Sequence, residues 1–125
     1  MRSTTRPLAL APLALLLLTT TAHAGNVLAS GPLRVAANAY YNCTAVNVGA
    51  APVAKIDVAV TVAGSTPGSG AKTSCTPVDG SAACTAENQA GGTQFRFCTV
   101  TVTGNRKNVR ASFCDTTAGV CIPVR

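Results

Sequence analysis

An all-β sandwich of about seven short strands, held by disulfides, is the fold this sequence predicts. Three observations predict it. Several runs alternate apolar and polar residues with a period of two. Past the first two dozen residues, Val, Thr, Ala and Gly dominate and Leu, Glu and Lys are few, a mixture that suits pleated strands better than helices. Turn signals return about every ten residues, with no amphipathic helical stretch between them. A small barrel is the main alternative.

The first element is not part of that fold. Arg2 and Arg6 precede LALAPLALLLL, the chain turns polar at Thr19-Thr20-Thr21, and Ala22-His23-Ala24 follows. A basic start, a short apolar run and an A-x-A site are the parts of a secretory signal, in order. The run is shorter than the about 20 residues a membrane helix needs, and Pro12 interrupts it. Residues 1–24 are therefore expected to be a signal peptide and 25–125 a single domain, secreted or periplasmic, with no membrane span. No cysteine stands immediately after Ala24 to carry a lipid anchor. Cleavage would remove the sole histidine, His23, together with Arg2 and Arg6. The remainder keeps eight cationic side chains against Asp57, Asp79, Glu87 and Asp115, a net charge of +4.

From Leu33 one parity reads Leu33, Val35, Ala37, Ala39, Tyr41, Cys43 and Ala45, and the other holds Arg34, Asn38, Asn42 and Thr44. That is one half-buried strand, or two with a kink. Gly49 and Pro52 punctuate a turn. The clearest strand follows, with Ala54, Ile56, Val58, Val60 and Val62 on one face and Lys55, Asp57 and Thr61 on the other. After a loop at GSTPGSGAK the rhythm weakens, leaving short β-like pieces around Cys75 and AACTA. Strong alternation returns with Cys98, Val100 and Val102 against Thr99, Thr101 and Thr103. Phe95 and Phe97 share the threonine parity, so either a bulge switches the face before Cys98 or both rings lie outside. GNRKN reads as a hairpin connection, followed by a strand with Val109, Ala111 and Phe113 on one face. The last residues suit a short edge strand.

Six cysteines, Cys43, Cys75, Cys84, Cys98, Cys114 and Cys121, all lie after the signal. An even number in an oxidising compartment implies disulfides. Zinc sites favour closely spaced cysteine pairs or cysteine with histidine, whereas the close pairs here have eight and six intervening residues. No metal and no cofactor are expected. The preferred connectivity among the fifteen that six cysteines allow is Cys43–Cys98, Cys75–Cys84 and Cys114–Cys121. The first joins an early strand to a late one, mid-strand on apolar faces, as a bridge between two sheets requires. Such crosslinks matter because the core is modest: there is no tryptophan, and the aromatic residues are two tyrosines and three phenylalanines. Asn42-Cys43-Thr44 also matches the glycan-acceptor pattern, but a residue committed to a strand is a poor acceptor, and Asn42 is read as an outward strand residue.

NCTAVNVG (Asn42 to Gly49), FRFCTVTVTG (Phe95 to Gly104) and VRASF (Val109 to Phe113) together resemble small exported bacterial proteins with immunoglobulin-like sandwiches. The resemblance implies an immunoglobulin-like fold with a Cys43–Cys98 link, and it brings no activity. Cys75, Cys84, Cys114 and Cys121 are additions to that pattern, and the core tryptophan of antibody domains is absent.

Catalysis is not expected. Without histidine neither a Ser-His-Asp nor a Cys-His arrangement can be built. The four carboxylates stand singly, and Asp57 and Asp115, the pair that could meet, read as solvated surface groups rather than glycosidase partners. No calcium loop, phosphate-cradling loop or C-x-x-C motif is present. What remains is charge: Arg106, Lys107 and Arg110 cluster at one connection, with Arg96 on the strand before it. Such a tip can hold an anionic polymer or an acidic protein face, although a solubilising hairpin guard is the plainer explanation. Nucleic acid is not an expected partner, because the few aromatics do not form a stacking platform. A non-catalytic binding or structural module, monomeric, is the expected function. A secreted inhibitor or toxin-like effector acting through the Cys75–Cys84 loop is the alternative.

Overall fold

The computed structural model describes residues 26–125, so the expected signal peptide lies outside the described residues. Among these residues nine strands form, rather than about seven: β1 (Val27–Ala29), β2 (Leu33–Val35), β3 (Tyr40–Asn47), β4 (Lys55–Val62), β5 (Ala71–Cys75), β6 (Ala83–Gln89), β7 (Gln94–Thr103), β8 (Val109–Asp115) and β9 (Val120–Val124). The two extra strands come from breaks that strand rhythm alone does not count. Gly31 and Pro32 separate β1 from β2, and both pair antiparallel with the long β7, at Thr99–Thr101 and Gln94–Arg96. Proline has no N–H to give a ladder. The kink between β2 and β3 is a turn in which Asn38 takes a φ of 63°, a left-handed conformation asparagine tolerates better than most residues.

The strands make two antiparallel sheets. One has the order β1-β7-β4-β5 with β2 beside β1 along β7, and the other β6-β3-β8-β9. They face each other across a core that includes Val35, Tyr41, Cys43, Ile56, Val58, Val60, Cys98, Val100, Val102 and Phe113. Tyr41 and Phe113 meet edge to face, with centroids 6.3 Å apart. At one margin the sheets touch directly, because Ser30 bridges to Val124 and Ala29 exchanges backbone bonds with Arg125 at 2.9 and 3.1 Å.

All three disulfides join the expected partners. Cys43–Cys98 crosses between the sheets at the centre of the core, with both residues fully buried. Cys75–Cys84 ties β5 to β6, the other margin of the sandwich. Cys114–Cys121 is a cross-strand link within the β8–β9 hairpin.

Register settles the phenylalanine question. β7 pairs with β4 without interruption from Lys55 opposite Thr103 to Val62 opposite Arg96. No bulge intervenes, so Phe95 and Phe97 lie outside, and Phe95 is 52% exposed. The residue between them, Arg96, then falls on the core face. A second correction concerns GNRKN. β7 and β8 belong to different sheets, so the segment is an arch between layers, not a hairpin. A single 3-10 turn at Arg106–Asn108 makes the crossing, with the Asn105 side chain accepting from the Lys107 amide at 3.1 Å.

Asn47 organises the end of the sandwich near that arch. It is fully buried, donates through Nδ2 to the carbonyls of Ala51 (2.8 Å) and Val78 (2.9 Å), and accepts from the Gly49 amide at 3.0 Å. Both its N–H donors and its oxygen go into fixing two loops, so no polar atom of the buried amide lacks a partner. The same junction needs Gly80, where a Cβ would stand 2.7 Å from the Gly49 carbonyl oxygen.

Candidate functional site

The arch carries an open cleft. Strand β1 runs beside β7, and β8 departs into the other sheet, so the divergence of the layers leaves a cleft of about 820 Å3. Arg106, Lys107 and Arg110 line it from the arch and β8, and Asn26, Leu28 and Asn105 complete it. The basic side chains are held by short-range geometry. Arg110 donates from Nη1 to the carbonyls of Lys107 (2.8 Å) and Val109 (3.0 Å), which fixes its head beside the 3-10 turn. Lys107 is exposed and Arg106 half-buried. No aspartate or glutamate lines the cleft, so its field is uniformly positive, and the apolar wall supplied by Leu28 and Val109 strengthens that field by keeping part of the surroundings weakly polarisable. The arrangement can hold anionic oxygens.

Arg96 is not part of this cluster. It pairs with Leu33 and Val62, seven residues before the end of β7 at Thr103, or about 23 Å along a strand. It is also buried, at 3% exposure. Sequence proximity suggested a shared patch, but the direction of the strand separates the two sites to opposite ends of the sandwich. Around Arg96 the structure collects Tyr41, Gly70 and Asn88, none of which sequence reasoning marked as a site. The alternation in β3 and β7 could have shown Tyr41 and Arg96 to be inward, but which of them face each other depends on how the sheets are stacked.

The two candidate carboxylates do not meet. Asp57 is on the outer face of the first sheet, paired with Lys55 at 3.3 Å and accepting a hydrogen bond from the Ser74 hydroxyl. Asp115, expected on the surface, is instead buried at 4% exposure in the second sheet. Its Oδ1 accepts from the Ala118 amide at 2.9 Å, so it caps the β8–β9 turn, a local backbone role that offsets its burial. No group of three or more metal-ligating side chains occurs among the described residues.

The loop between Cys75 and Cys84 is pinned from within. Val78 is buried and exchanges both backbone bonds with Val53 at 2.9 and 2.8 Å. Thr76, Pro77, Asp79, Gly80 and Ser81 remain exposed around that anchor. Asn42 occupies the middle of the second sheet, flanked by Glu87 on β6 and Cys114 on β8.

Comparison with family models, with curated proteins and with solved structures finds no match for this chain. No helix among the described residues is long and apolar enough to cross a membrane.

Proposed function

We propose that this chain is a non-catalytic binding module of an oxidising compartment, secreted or periplasmic, that receives anionic groups of a polymer or a protein face in the cleft beneath the β7–β8 arch. The carrying observation is the joining of three cationic side chains, Arg106, Lys107 and Arg110, in one cleft with no carboxylate among its walls. Three disulfides fit a compartment where thiols are oxidised. The rigidity they lend suits recognition, because a cleft already ordered loses little entropy when it is filled. Nucleic acid is not the proposed ligand, since no aromatic residue lines the cleft for bases to stack on.

The test is retention on a sulfated polysaccharide matrix, comparing the natural protein with an Arg106→Gln, Lys107→Gln, Arg110→Gln variant of unchanged melting temperature. The variant is expected to elute at clearly lower salt, because contacts with a polyanion are screened by added ions. Elution of both proteins at the same salt would refute the cleft as the binding surface. The second reading, an inhibitor using the Cys75–Cys84 loop, draws on the constraint given by the disulfide and the Val53–Val78 bridge. That bridge also holds the middle of the loop against the body, which limits what it can insert into a target.

A further inference from the structure

At the end of the sandwich far from the arch, the core face closes on a cation whose needs are not met. The Arg96 guanidinium lies over the Tyr41 ring, 5.0 Å from its centroid. Its other contacts are long: Nη1 to the carbonyls of Gly92 and Gln94 at 3.4 Å each, and Nη2 to Gly92 at 3.5 Å. Ordinary N–H···O bonds run roughly 2.7–3.2 Å. Nε is the one buried side-chain polar atom among the described residues that has no hydrogen-bond partner. No described carboxylate stands within salt-bridge distance of the group. A buried charge without a counter-charge is costly, and here the cost is left partly uncompensated.

The surroundings are otherwise satisfied. The Tyr41 hydroxyl and Asn88 Nδ2 both donate to the Gly70 carbonyl at 2.9 Å. Asn88 Oδ1 accepts from the Gln89 amide at 2.8 Å, and Gln89 Nε2 donates to the Asn38 carbonyl at 3.0 Å. Tyr41, Gly70, Asn88 and Gln89 line an open cavity of about 410 Å3 that also has Arg96 in its wall and no acidic side chain. That volume falls within the roughly 300–1,000 Å3 typical of small-molecule sites.

We propose that this cavity binds a small carboxylate, gripped side-on by Nε–H and the neighbouring Nη–H of Arg96. One face of the guanidinium is covered by Tyr41, so recognition falls to its edge. The edge left nearly idle presents two parallel donors, the spacing that matches the two oxygens of a carboxylate. One positive charge meets one negative charge. A phosphate, carrying close to two negative charges and three acceptor oxygens, would find no second cation in the cavity. Access comes from the Gly91–Gly92 turn. Nε is buried, so a ligand reaches it only as that turn, which lines the cavity, moves aside; a Cβ at either glycine would meet nothing within 4 Å, so the space beside the turn is open. This site is independent of the cleft proposed above.

The deciding experiment follows the Arg96 Nε–Hε resonance of the isotopically labelled natural protein while acetate is added. Acetamide, phosphate, and sodium chloride at matched ionic strength serve as comparisons. A saturable shift with acetate, absent with acetamide and chloride and weaker with phosphate, is expected. It should persist in the Arg106→Gln, Lys107→Gln, Arg110→Gln variant. Arg96→Lys, read through the Gly91 and Gly92 amides, should weaken acetate binding by about tenfold, because an ammonium keeps the charge but loses the paired donors. A shift that is linear and equal to that with chloride would overturn the site. Tighter saturation by phosphate would overturn its assignment to carboxylates, and loss of the shift in the triple variant would overturn its independence. Because the titration reads the natural protein, the test stands even where Arg96→Lys fails to fold.

Discussion

Opening the central disulfide should cost far more than opening the hairpin disulfide, and the difference can be worked from loop lengths. Cys43 and Cys98 are separated by 55 residues in sequence, Cys114 and Cys121 by seven. On the chain-entropy argument, restricting the unfolded chain over these loops stabilises the fold by about 4 and about 2.4 kcal/mol respectively. The structure adds to the first figure and not to the second. Both sulfurs of the central pair are fully buried in the core, whereas Cys121 is exposed and Cys114 half-buried. Cys43→Ala with Cys98→Ala therefore also leaves a void between the sheets, which adds a packing loss. At about 4–8 °C per kcal/mol for a domain of this size, the central double variant should melt about 20 °C or more below the natural protein. Cys114→Ala with Cys121→Ala should melt about 10–20 °C below it. Reversible thermal and urea unfolding, followed by far-ultraviolet circular dichroism, measures both. If the hairpin variant proved as destabilised as the central one, the reasoning that places Cys43–Cys98 across the core would be refuted.

Two further outcomes follow from burial and register. Asn47→Ala should lower stability by about 2–3 kcal/mol in urea unfolding, because it removes the three hydrogen bonds to Ala51, Val78 and Gly49 and leaves a gap where the buried amide stood; a loss under half a kcal/mol would show that the amide does not organise those loops. Phe95→Thr, on the outer face, should change stability by no more than about 0.5 kcal/mol, while Phe113→Ala in the core should cost about 3–5 kcal/mol, and comparable losses at the two positions would mean that β7 is bulged after all.

Much of the candidate site was hidden from sequence reading for a reason visible in two arginines. Arg106 and Arg110 are close because a short arch holds them, and chain proximity alone predicts that. Arg96 lies on the strand that leads into the arch, yet that extended strand carries it to the other end of the molecule and its parity turns it inward. The parity was legible once the face of Cys98 was known. The opposing wall was not, since Tyr41 and Asn88 come from strands of the other sheet. Asp115 shows the same limit in reverse: a charged residue beside a cysteine at a strand end reads as solvated, but the β8–β9 turn gives it an amide to accept and lets it be buried.

By itself the sequence determined what depends on neighbours along the chain: the β class, the faces of the long strands, and a cysteine set whose positions on those faces favour one pairing. It left open the number of strands, the crossing of β7 to β8 between layers, and the separation of Arg96 from the basic arch. Those rest on which strand lies beside which, and backbone hydrogen bonds are indifferent to that choice. Only the simultaneous burial of both inner faces selects one stacking, and that is a property of the folded whole.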